Sequence, residues 1–124
     1  MITGIVNADL DATLRLTIVG LHGKRRIRAI IDTGFDGFLS LPPDVIAELG
    51  LNWNGKSQAE LADGSTSSFD TFTGIVVWDR RRTHILIDEA NTTPLVGTAL
   101  LWGYHLSVTF RRGEVVTLRA MPRH

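Results

Sequence analysis

One aspartate is delivered into a turn by a run of apolar residues: Ile30-Ile31-Asp32-Thr33-Gly34, continuing through Phe35-Asp36-Gly37-Phe38-Leu39-Ser40-Leu41 to Pro42. A carboxylate pinned between two apolar strands must be hydrogen-bonded, paired or engaged in acid–base chemistry, because burying it alone costs several kcal/mol. Two readings of Asp32 follow. In the first it caps its own loop as an Asx turn. In the second it is a reactive carboxyl group presented at a strand-to-turn tip.

The elements that position it are short strands. Arg28 to Ile31 has strand character, Gly34 permits a turn that a side chain would block, and Phe38-Leu39-Ser40-Leu41 resumes the alternation. Upstream, Ala12 to Gly20 alternates with Leu14, Leu16 and Ile18 on one face. Leu21-His22-Gly23-Lys24 turns it into a second strand, Arg26 to Ile31, so the two read as a hairpin. Pro42-Pro43-Asp44 opens a short helix through Val45, Ile46 and Leu49, and Gly50 ends it. Thr73 to Trp78 and Thr83 to Asp88 form a further strand pair around Asp79-Arg80-Arg81-Arg82. Thr98 to Tyr104 reads as one or two helical turns. His105 to Phe110 and Glu114 to Ala120 flank a turn at Arg111-Arg112-Gly113. Short strands at regular spacing favour a small closed barrel over a doubly wound sheet. A faint internal repeat points the same way: Ile30 to Gly34 is echoed from Leu86-Ile87 onward, and Leu95-Val96-Gly97 with its helix follows.

Composition narrows the function classes. At 124 residues the chain is a single domain, 1–124. Lys plus Arg is 13 and Asp plus Glu is 13, so no global field attracts nucleic acid or an anionic membrane. The absence of cysteine removes disulfides, thiol catalysis and thiolate metal sites. No stretch approaches the ~20 apolar residues that span a bilayer, and Met1 to Leu16 lacks a basic region followed by an apolar core, so a cytoplasmic location is expected.

Three segments together resemble the retropepsin-like aspartic proteases. They are Asp32-Thr33-Gly34 with Asp36 after it, the hairpin-like Gln58 to Asp79, and Ile85 to Leu101 with its Leu95-Val96-Gly97 and short helix. Phe35, Gly37 and Leu41-Pro42 are similar to the small stand-alone prokaryotic branch of that group. The resemblance implies a mainly β fold: a small closed acid-protease barrel with one or two short helices, working as a homodimer. It implies no cofactor and no metal, a peptide or protein substrate, and hydrolysis by an activated water. Asp32, Thr33 and Gly34 would be catalytic. Phe35, Asp36 and the flap tip Ala62, Asp63, Gly64 and Ser65 would bind substrate. Aspartic proteolysis needs two facing carboxyl groups that share one proton, since like charges about 3 Å apart do not both ionise. This chain has one Asp-Thr-Gly; Asp36, Asp63 and Asp88 supply no second copy. The dyad is therefore expected between Asp32 of two subunits. Phe35 stands where relatives have a small residue, narrowing or redirecting access, and Thr98-Ala99 offers Asp36 no charged or amide partner. These departures motivate an alternative: a retropepsin-fold dimer that captures peptides by strand addition without cleaving them.

Other candidate chemistry is weaker. His22, His84, His105 and His124 show no helical i, i+4 pairing, and exposed turn and edge positions account for them better than a zinc site. Lys24-Arg25-Arg26 and Arg80-Arg81-Arg82 sit at expected turns without interleaved aromatic residues, which favours solvation over nucleic-acid binding. Trp53, Trp78 and Trp102 are expected in core or interface packing. No serine elbow, phosphate loop or dinucleotide fingerprint is present.

Overall fold

A computed structural model describes residues 1–122; His124 lies outside the described residues. The elements are β1 (Ile2–Val6), β2 (Ala12–Gly20), β3 (Gly23–Ile31), β4 (Leu39–Leu41), α1 (Pro43–Leu49), β5 (Asn52–Glu60), β6 (Thr66–Trp78), β7 (Arg81–Glu89), β8 (Leu95–Val96), α2 (Thr98–Leu101), β9 (Tyr104–Ser107) and β10 (Val115–Ala120). The alternation read along β2 is a buried face: Leu14, Leu16 and Ile18 are at most 3% exposed, whereas Arg15 faces solvent. They meet Ile27 and Ala29 of β3, Leu39 and Leu41 of β4, Val76 of β6 and Ile87 of β7 in one core. Helix α1 lays Val45, Ile46 and Leu49 onto that core. Pro43 starts it, and Gly50 ends it in the left-handed conformation with its N–H on the Ala47 carbonyl.

Six strands close a barrel in the order β6-β7-β4-β8-β3-β2, and β2 returns to β6 through Thr17–Val77, Ile18–Val76 and Val19–Ile75. The pairings carry an internal twofold. It exchanges β2-β3-β4-α1 with β6-β7-β8-α2: hairpin β2–β3 maps onto hairpin β6–β7, and the parallel pair β3–β8 maps onto the parallel pair β4–β7. The antiparallel contact β4–β8 lies across the axis, with Leu39 opposite Val96. The repeat expected around Ile30 and Leu86 is thus the symmetry of the barrel itself. Outside it, β5 extends β6 as a long hairpin, and β1, β10 and β9 continue from β2.

Several boundaries move, each for a local reason. The first hairpin turn is tighter than expected: Gly20 pairs with Gly23, so Lys24, Arg25 and Arg26 belong to β3 and are exposed there. The turn after Trp78 is only Asp79-Arg80, both at positive φ (49° and 68°), the geometry that matches the twist of a two-residue hairpin. Helix α2 stops at Leu101, because Tyr104 already pairs with Ala120 in the last sheet. Strand β9 ends at Ser107 rather than Phe110: the segment after it serves β1, with Gly113 N–H on the Val6 carbonyl and Val6 N–H on that of Glu114. Of the three tryptophans only Trp78 is core, edge-on to Tyr104 with ring centroids 5.7 Å apart; Trp53 and Trp102 are 63% and 75% exposed.

Candidate active site

Asp32 follows the last residue of β3, and its turn is held from two sides. Within the loop, the Gly34 N–H donates to Asp32 Oδ1 at 2.9 Å and the Phe35 N–H to the Asp32 carbonyl at 3.1 Å. The Asx turn offered by the local reading is therefore formed. It engages one carboxylate oxygen, and no hydrogen bond reaches Oδ2 among the described residues. Across the barrel, Asp32 N–H donates to the Val96 carbonyl at 2.9 Å, and β3 and β8 run parallel with Ile31 opposite Val96.

The rest of the loop is stitched to the start of α2. Thr98 N–H donates to the Phe35 carbonyl (2.8 Å), Gly97 N–H to that of Phe38 (3.0 Å) and Ala99 N–H to that of Gly37 (3.2 Å). This contact needs a glycine at 97: a Cβ there would stand 2.1 Å from the Gly37 carbonyl oxygen. The Phe35 ring packs into the same seam, close enough that a Cβ on Gly37 would lie 2.5 Å from its Cζ. Phe35 thus has a structural seat that its sequence neighbours did not announce. Asp36 receives no side-chain partner from Thr98-Ala99; the brace there is made of backbone hydrogen bonds and the Thr98 hydroxyl on the Phe35 carbonyl at 3.4 Å.

The β5–β6 hairpin begins earlier than the sequence suggested, at Asn52, and runs to a tip at Leu61–Ser65. Leu61 N–H donates to the Ser65 carbonyl at 2.7 Å, and Asp63 Oδ1 accepts both the Ser65 N–H at 2.9 Å and its hydroxyl. Those two bonds from Ser65 hold the Asp63 carboxyl below its ordinary pKa. Gly64 takes φ +86°, and Ala62, Asp63, Gly64 and Ser65 are all exposed.

Between hairpin and loop lies a hollow of about 430 Å³. Phe35 and Asp36 line it from the Asp32 loop, Leu61 and Phe69 from the hairpin, and Asp88 and Glu89 from the end of β7. Of the expected site residues, the structure brings Phe35 and Asp36 together here. Asp32, Thr33, Gly34 and the tip residues Ala62 to Ser65 are not part of its lining. Asp88 and Glu89 were not legible as pocket residues. Strand alternation sets Asp88 on the face opposite the buried Ile87, and it is half-buried there between Thr71 of β6 and Ser40 of β4. Burial, and then the neighbouring Asp36 charge, push the Asp88 carboxyl above its ordinary pKa.

No family model matches the chain, and no curated protein matches it. Its structure is similar to the crystal structure of a retropepsin-like aspartic protease from Rickettsia conorii, with a TM-score of 0.63 over 94% of this chain and 87% of that one, at 17% sequence identity.

Proposed function

We propose that this chain, which has the retropepsin-like fold, is an aspartic endopeptidase whose dyad is formed by Asp32 of two subunits. The observation that carries the reading is the Asp32 turn: one carboxylate oxygen is tied down by Gly34, the other has no partner among the described residues, and two independent backbone braces fix the loop. A single Asp-Thr-Gly per chain makes a symmetric dimer necessary, with the same patch of each subunit meeting across a twofold axis.

In such a pair one Asp32 is ionised and takes a proton from a water held between the two. The other, protonated, donates to the carbonyl oxygen of the scissile bond as the water oxygen attacks its carbon, giving a tetrahedral diol with no covalent enzyme intermediate. Breakdown returns a proton to the leaving amine and restores the shared-proton state. Thr33 is exposed and its hydroxyl has no hydrogen bond among the described residues, so it is available to the partner's loop. The β5–β6 hairpin acts as the flap, its tip Ala62 to Ser65 covering the peptide and excluding water.

The test is cleavage of a diverse peptide library by wild type and by Asp32→Asn from acidic to neutral pH, at concentrations that sustain a dimer. Cleavage by wild type alone is the expected result; equal cleavage by both sinks the mechanism. A second reading, peptide capture without hydrolysis, draws on Phe35, whose benzyl group lines the hollow where relatives have a small residue. It is favoured if both proteins bind peptides and neither cleaves.

A further inference from the structure

We infer that the hollow between the β5–β6 hairpin and the Asp32 loop selects a lysine or arginine side chain of the bound peptide, with Asp88 and Asp36 taking the cation. The inference rests on the proteolytic reading only for what enters the site. The hollow, about 430 Å³, falls within the ~300–1,000 Å³ usual for ligand pockets. Its walls are of two kinds. Phe35, Leu61 and Phe69 offer apolar surface to an aliphatic stem, and the neighbouring Asp36 and Asp88 offer two carboxylates to its end, with Glu89 alongside and in hydrogen-bond contact with Asp70.

No lysine, arginine or histidine lines it, and none of the three carboxylates forms an ion pair among the described residues. The hairpin's Lys56 is committed to Asp70 at 3.0 Å. The chain as a whole is neutral, so this negative charge is a local concentration. A second observation is independent of the acids. Ser40 lines the hollow and is 3% exposed; its hydroxyl accepts the Leu95 N–H at 3.2 Å, and its own proton has no acceptor among the described residues. A buried donor left unused is costly, and an entering peptide carbonyl would satisfy it.

The charge state agrees. Burial and the Asp36 charge raise the Asp88 pKa, so an entering cation relieves a repulsion that the empty pocket sustains. An apolar side chain would leave these carboxylates desolvated and unpaired, and an acidic one would add to the repulsion. Among the described residues no three acidic or histidine side chains converge closely enough to ligate a metal ion, which favours an organic cation reached along an apolar wall.

Fluorescent peptides that carry lysine, arginine, norleucine or glutamate at one scanned position are titrated against the full chain bearing Asp32→Asn. At one position lysine and arginine are expected to bind roughly ten-fold more tightly than norleucine, with glutamate weakest. Adding Asp88→Asn brings lysine to the norleucine level, and Asp36→Asn narrows the gap between the two peptides in smaller measure. Thermal unfolding checks that each variant is folded, and either variant alone suffices for the comparison. Equal binding of lysine and norleucine at every position, a preference that survives both substitutions, or no binding at all overturns the inference. Wild type on the same peptides scores the proteolytic reading separately: cleavage without basic preference keeps that reading and removes this one, whereas basic-selective binding without cleavage does the reverse.

Discussion

Asp32 serves the turn with one oxygen and is available for chemistry with the other, and the two roles separate on substitution. Asn keeps an oxygen for the Gly34 N–H, so Asp32→Asn is expected to change stability by no more than about 0.5 kcal/mol in denaturant titration, while peptide cleavage is lost. The glycine at 97 is the converse case. A Cβ there meets backbone, which does not move aside, so Gly97→Ala is expected to cost about 3 kcal/mol or prevent folding. Asp88 pays a different cost, and its sign follows from its raised pKa. The folded state holds the Asp88 proton more tightly than the unfolded chain does, so this residue detracts from stability above its folded pKa. The deficit shrinks as pH falls through that value. Asp88→Asn is therefore expected to melt at or above the wild-type temperature at pH 7, and the difference to close near pH 4; melting curves of the two proteins across that range decide it. Asp36, whose charge adds to the burial of Asp88, faces the same hollow.

Among the elements, the β5–β6 hairpin has the least to hold it. Most of β5 is exposed, and its partner over the outer half is β6 alone. The Asp63 carboxylate binds the tip together, and its lowered pKa gives a direction: the tip is tied above the ordinary carboxylate range and released as pH falls through the depressed value. Asp63→Ala is expected to speed hydrogen exchange at the Ser65 amide and its neighbours while leaving the global melting temperature unchanged. The same exposure explains why β5 was legible in the sequence only from Gln58 onward. Asn52 to Glu60 has no apolar alternation, because neither face packs on a core. The well-read elements are those that do: β2 and β3 by their period of two, and α1 by Pro43, Gly50 and the spacing of Val45, Ile46 and Leu49. Short strand β1 depends on β10, distant in sequence, and nothing local announces it, whereas β8 is legible through Leu95-Val96-Gly97. At the site, the Asp32 turn was readable from Ile30 to Gly34, whereas Asp36 and Asp88 become neighbours only when β4 pairs with β7.

For the whole molecule the proposed dyad makes activity a property of pairs. Mixing wild type with an equal amount of Asp32→Asn and allowing exchange leaves about one quarter of dimers with two aspartates under random pairing. Cleavage is expected to fall toward that level rather than to half, and to fall more than in proportion on dilution. A linear response in both experiments would place catalysis within one subunit. The barrel's twofold supplies no such internal dyad: Asp88, near the position that symmetry gives to Asp32, is a strand residue opposite Thr71 and Ser40 with no Thr-Gly turn after it.

The parallel pair β3–β8 also sets an order of events. During synthesis Asp32 emerges early, with its own turn able to close locally, but the carbonyls and amides that fix that turn belong to Val96, Gly97, Thr98 and Ala99. Hairpins β2–β3 and β6–β7 can form from neighbouring sequence; the braces between them require the long-range closures that slow the folding of β-rich chains. A nascent chain that has reached only α1 thus carries its aspartate on an unsupported loop, and the braced turn is complete only once the ribosome has released the segment through Ala99.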